Sequence, residues 1–112
     1  MYGDESAHLL VFTNLPDRDA ATKLARTLVE RRLAACVNVL SGCTSVYRWE
    51  GAIEHADEVP VLIKTRASRY ADVEAAIRSL HPYELPEVIA VEVSAGHAPY
   101  LDWIASSTKS GA

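Results

Sequence analysis

The stretch "ACVNVLSGCTSVYRWEGAIEHADEVPVLIKT", Ala35 to Thr65, decides the fold. Both of its halves are rich in Val, Ile, Thr and aromatic residues, which suit strands. Between them Glu50-Gly51 reads as a tight turn, so the segment is a β-hairpin. Each arm has about 14 residues and at ~3.4 Å per residue can reach ~45 Å. A compact chain of this length is only about 35 Å across. The arms must therefore bend or project, and Ser41-Gly42 and Pro60 are the natural bulge positions. Beyond the bend, Val46, Tyr47, Trp49 and Ile53 fall on a ribbon that is unstable alone in water. Such a ribbon implies an obligate oligomer in which ribbons pair with neighbouring subunits.

On the N-terminal side, "LLVF" (Leu9–Phe12) reads as a strand covered on both faces. "NLPD" (Asn14–Asp17) is a turn whose Asp17, or Asp19 beyond it, caps a helix. Ala21, Leu24, Ala25, Leu28 and Val29 make one apolar helical face running to about Arg32. On the C-terminal side Ser68 suits the N-cap of a second helix, with Tyr70, Val73, Ile77 and Leu80 inward. Pro82 stops that helix near Leu80. "VIAVEV" (Val88–Val93) is a further strand, and Pro99 opens a short last helix carrying Tyr100, Leu101 and Ile104. The order predicts an α+β, ferredoxin-like split βαβ fold. It has an antiparallel four-stranded sheet, two helices on one face, a long hairpin between the second and third strands, and a short C-terminal helix. The chain reads as a single domain over 1–112, with 1–7 and 108–112 as flexible tails.

Composition narrows function. A formal net charge of −4 argues against a general nucleic-acid binder. No apolar run is long enough for a membrane span. "MYGDESAHLL" lacks the pattern of a secretory signal, the chain has only two cysteines, and the spacing of Cys36 and Cys43 is not that of a CxxC redox motif. Those features predict a cytoplasmic chain with free thiols. No GxSxG, HExxH or P-loop pattern occurs, so the chain reads as a non-enzyme with no organic cofactor.

The blocks "LAACVNVLSGCTSVYRWEGAIE" (Leu33–Glu54), "VLIKTRASR" (Val61–Arg69), "LHPYELPEVIAVEVSAG" (Leu80–Gly96) and "YLDWI" (Tyr100–Ile104) resemble the CutA family of divalent-cation tolerance proteins. The match runs in order over roughly Leu9 to Ser107. The resemblance implies a homotrimer built through the long hairpins, PII-like in architecture, with a role in tolerance of copper and other divalent metals. It points to Cys36, His81 and Glu87 as metal ligands. Some members carry cysteines where Thr13 and Ala76 stand here, which thins the thiol supply for Cu(I).

Thiolate, imidazole and carboxylate suit copper or zinc, but the spacing of Cys36, His81 and Glu87 is not a metal motif, and they act together only if the fold gathers them. The simpler readings are a buried Cys36 and a His81 that serves a helix C-terminus. Cys43, at the predicted bend, is either a more exposed thiol or a packed bulge residue. Lys64, Arg66 and Arg69 surround the start of the second helix and form a candidate anion site, or else a solvated surface cluster. Tyr47, Trp49, Tyr83, Tyr100 and Trp103 lack the basic, glycine-bearing context of an RNA-stacking sheet and suit interfaces instead. Two function classes follow: a trimer that binds copper or another divalent metal, and a PII-like signalling trimer whose clefts take a small anion or a partner protein.

Overall fold

The computed structural model describes residues 4–109. In chain order they form β1 (His8–Leu15), α1 (Arg18–Glu30), β2 (Cys36–Val39), β3 (Cys43–Trp49), β4 (Ala52–Arg66), α2 (Tyr70–Leu80), β5 (Ile89–Glu92) and α3 (Ala98–Ser107). The sheet runs β2-β4-β1-β5, with β3 continuing along β4 beyond β2. Every pairing is antiparallel. This is the expected split βαβ fold, with its second strand broken in two.

The break has a countable cause. Val39 faces Val61 and Cys43 faces Glu58. Four steps on one arm thus match three on the other, so Leu40–Gly42 holds one extra residue, a β-bulge. The Arg18 guanidinium fixes it by donating to the Leu40 carbonyl at 2.9 Å. The second bulge expected at Pro60 does not form, because β4 runs unbroken from Ala52 to Arg66. Pro60 accepts from the Leu40 N–H at 3.0 Å, so its missing donor faces the arm that is already irregular. At the ribbon tip Glu50 (φ 50°) and Gly51 (φ 85°) both adopt the left-handed conformation of a tight primed turn. The ribbon projects: the molecule measures 44 × 27 × 23 Å with a radius of gyration of 14.5 Å. Val46 on the ribbon is 70% exposed and Ile53 is 64% exposed.

Asp17 caps α1, its side chain accepting from the Ala20 N–H at 2.8 Å. Ala21, Leu24 and Leu28 bury the face that the periodicity picks out. The helix ends in a Schellman-type turn, with the Leu33 N–H on the Leu28 carbonyl at 2.9 Å and Arg32 at φ 59°. Strand alternation sends Leu9, Val11, Thr13 and Leu15 under α1 and α2. Their neighbours Leu10 and Phe12 lie half-buried on the other face, in register with Val91 and Ile89.

Two expectations for α2 need correction. Ser68 is not its cap: Ala67–Arg69 form a 3-10 turn, and Arg69 precedes the helix without a side-chain cap. Leu80 is exposed, and Ala76 joins Val73 and Ile77 in the core, because the helix begins at Tyr70 and its inward stripe ends before the last turn.

The predicted tails are also corrected in part. The Ala67 N–H bonds the Ala7 carbonyl at 2.8 Å and the Ser68 N–H bonds the Glu5 carbonyl at 3.0 Å. Thr108 is fully buried, its hydroxyl donating to the Ile104 carbonyl at 2.8 Å. The remaining tail residues 1–3 and 110–112 lie outside the described residues.

Candidate functional site

A cleft of ≈ 1110 Å³ opens between β3 and the segment that follows α2. Its walls include Tyr47 and Trp49 on one side and Tyr83, Leu85 and Glu87 on the other. The second wall follows from Pro82 and Pro86. They forbid helix, so the chain leaves α2 at His81 in extended conformation (φ −81°, ψ 135°) and crosses the end of β1 before starting β5.

His81 pins this crossing. The residue is 8% exposed. Nε2 lies 2.6 Å from the Asn14 carbonyl, which only accepts, so Nε2 carries the proton. Nδ1 then accepts from the Tyr83 backbone N–H at 3.1 Å. Both ring nitrogens are used, Nε2 as donor and Nδ1 as acceptor. The backbone N–H of His81 closes the last turn of α2 on the Ile77 carbonyl at 2.8 Å.

On either side of this pin sits a carboxylate. Glu87 accepts from the Asn14 amide at 3.1 Å. Glu58, 9% exposed, lies beside the Tyr83 phenol. Burial, then the Glu58 charge and its hydrogen bond, push that phenol up to about 12 from 10.0. The sequence reading did not single out Glu58 or Asn14. Asn14 reads as an ordinary turn residue, and Glu58 as one charge among "EHADE". The available signal was the alternation of β4, which places Glu58 on the face of Pro60 and Leu62.

The structure brings His81 and Glu87 together around Asn14 but leaves Cys36 elsewhere. Cys36 faces Lys64, which faces Leu10, four residues before Asn14 along β1 and two strands away. At ordinary strand spacings that is about 14 Å along and about 10 Å across. Among the described residues no group of three or more His, Cys, Asp or Glu side chains is placed to hold a metal ion. The three-residue copper set is therefore not assembled within one chain. Both cysteines are free thiols, with Cys43 at the bulge 3.8 Å from the Ser45 hydroxyl.

Nor do Lys64, Arg66 and Arg69 converge. Lys64 donates to the Tyr100 hydroxyl at 3.3 Å and stands 5.6 Å from the centre of that ring. Arg66 donates from Nε to the Thr108 hydroxyl at 2.9 Å and from Nη2 to the Thr108 carbonyl at 3.1 Å. Arg69 pairs with Asp72 at 3.5 Å while its buried Nε has no partner. The first two dock α3 on the sheet, as does His8, whose Nε2 donates to the Leu101 carbonyl at 2.8 Å.

The ribbon residues proposed for assembly, Val46, Tyr47, Trp49 and Ile53, are all exposed in the single chain. Among the described residues no helix is long and apolar enough to cross a membrane.

Comparison with known proteins supplies the family. Residues 9–107 match the family model for the CutA1 divalent ion tolerance protein. Protein CutA of Mus musculus is 46% identical over 99 residues, covering 88% of this chain and 56% of the mouse protein. The chain thus spans little more than half the length of that relative. The divalent-cation tolerance protein CutA of Thermus thermophilus is 38% identical, with 88% of this chain and 96% of that protein covered. The crystal structure of CutA from Xylella fastidiosa superposes with a TM-score of 0.90 at 45% identity, covering 92% of this chain and 99% of that one.

The cytoplasmic expectation is corrected by the same comparisons. An Arabidopsis thaliana relative, 40% identical over 90% of this chain and 56% of its own length, is named chloroplastic. A structure from Archaeoglobus fulgidus (33% identity, TM-score 0.88, 91% and 99% covered) is titled periplasmic. Thiol count and an unremarkable N-terminus do not fix a compartment in this family. The sheet order, the long bulged ribbon and the matched residues 9–107 together place this chain in the CutA family of divalent-cation tolerance proteins.

Proposed function

We propose that this chain works as a non-enzymatic homotrimer in divalent-cation tolerance, binding copper or another divalent cation at seams between subunits. The observation that carries the reading is the unpartnered ribbon. Val46 and Ile53 are 70% and 64% exposed, and the outer edge of β3 borders the open cleft. A free strand edge beside exposed apolar side chains is the surface that strand pairing with a second copy would cover. Metal donors support a seam rather than a pocket within one chain. Cys36 lies on the sheet face opposite α1 and α2, where its register partner Lys64 meets α3, away from Glu87, so donors from different subunits must meet for a cation to find three of them. The rival reading, a PII-like trimer that binds a small anion, has weaker support, since Lys64 and Arg66 are spent on docking α3.

Light scattering combined with calorimetric titration of the reduced, metal-free protein tests this. The expected result is a mass of three chains and saturable binding of Cu(I), Cu(II) or Zn(II) that weakens in Cys36→Ala. A monomer overturns the assembly. A trimer with no metal binding overturns the cation site and moves the weight to the anion reading.

A further inference from the structure

The geometry points to His81 as the pin of a coupling chain that ties the cleft wall to the root of the ribbon, and not as a metal ligand. The chain is continuous. The Asn14 amide donates to Glu87 at 3.1 Å, and the Asn14 carbonyl accepts from His81 at 2.6 Å. His81 accepts from the Tyr83 backbone at 3.1 Å, and the Tyr83 ring packs on it at 4.6 Å between centroids. Tyr83 and Glu58 line the same cleft, which brings the wall to the ribbon root. Glu58 faces Cys43 at the bulge, where the ribbon leaves the sheet. Four pieces of the fold meet here: the end of β1, the end of α2, the wall Pro82–Val88 and the ribbon root.

The chemistry makes His81 a poor ligand and a good pin. A metal needs a free imidazole nitrogen, and both are used. Coordination at Nδ1 frees the Tyr83 N–H. Coordination at Nε2 strips the part-buried Asn14 carbonyl of its donor. Each would release the wall. Conversely, a shift of the wall moves Tyr83 within the cleft it shares with Glu58, a buried carboxylate at the ribbon root. The ribbon and the cleft therefore move as one unit, with His81 at its centre. This holds whether or not the seams take a cation.

Hydrogen exchange read by mass spectrometry on the full chain tests it in wild type, His81→Gln and Tyr83→Phe, each with and without Zn²⁺. Both variants should accelerate exchange several-fold in peptides spanning 82–88 and also in those spanning 43–58, with α1 unchanged. Any effect of Zn²⁺ on 82–88 should be the same in wild type and in His81→Gln. Tyr83→Phe removes a single oxygen and decides the matter if His81→Gln loosens the whole fold. Acceleration confined to 82–88 overturns the coupling. Exchange in 82–88 that responds to Zn²⁺ in wild type but not in His81→Gln overturns the assignment of His81.

Discussion

Arg32 holds a left-handed backbone (φ 59°) at the position after α1 where glycine is the ordinary choice. A side chain there is strained, and in the relaxed chain Arg32 prefers other regions. Arg32→Gly is expected to stabilise the fold by ~0.5–1 kcal/mol, the strain relieved minus the extra freedom of unfolded glycine. Urea denaturation measures it, and a loss of stability would show that the Arg32 side chain contributes more than its backbone costs. Tyr83 gives a second expectation at this scale. Its phenol titrates near 12 in the folded chain against 10.0 ordinarily. Between those values the native state holds a proton that the unfolded state has released, so this contribution is complete below pH 10 and fades as pH rises toward 12. Tyr83→Phe should flatten that part of the stability profile, and an unchanged alkaline slope would assign it to other groups. His81 was legible in the sequence as a helix terminator beside Pro82. Its partner Asn14 was not, because the contact spans 67 positions and joins a ring nitrogen to a backbone carbonyl, which leaves no residue-type signature.

At the scale of elements, α3 is fastened to the sheet by polar contacts at its two ends. His8 holds the Leu101 carbonyl and Arg66 holds Thr108. Arg66→Ala removes both guanidinium bonds and should cost about 1–2 kcal/mol, reduced by the partial exposure of the pair. Near-ultraviolet circular dichroism of Trp103 on α3, followed through a denaturant titration, should show that helix loosening first. Simultaneous loss of all signals would mean that α3 and the sheet unfold as one unit. The elements themselves were largely readable. Asp17 as a cap, the stripe Ala21–Leu24–Leu28 and the stop at Pro82 are local signals, and each appears where the spacing puts it. The misreadings came where tertiary contacts override local preference. Ser68 suits a cap, but its N–H is taken by the Glu5 carbonyl and the chain makes a 3-10 turn there instead. Pro60 suits a bulge, but its carbonyl already serves the bulge of the opposite arm. The candidate site was legible only as scattered residues, since the distance from Cys36 to His81 is set by strand order and register, with Cys36 opposite Lys64 and Lys64 opposite Leu10, which no local signal reveals.

At the scale of the molecule, the ribbon is the part that leaves its apolar residues exposed. β3 is paired on one edge only, and its apolar residues face solvent on a body otherwise built around a single core. Two-stranded ribbons are marginal in water, and the proposed assembly would place a partner along β3 of this 44 Å molecule. Val46→Asp and Ile53→Asp place a charge on the surface that the partner would bury. An unpaired buried carboxylate costs at least several kcal/mol, enough to empty the assembled state at micromolar concentration. Light scattering should then report single chains, and the thermal midpoint should fall with them, because ribbon and core lose a shared interface. Arg48 lies opposite Ile53 on the same strand pair. Arg48→Glu therefore separates two causes: loss of assembly there too would mean that the interface tolerates no change of charge, whereas assembly kept in Arg48→Glu and lost in Ile53→Asp would assign the contact to apolar packing. Assembly and midpoint unchanged in both aspartate variants would mean that the ribbon stands free in solution, and that its stability comes from the Arg18–Leu40 tether and the Glu58 root alone.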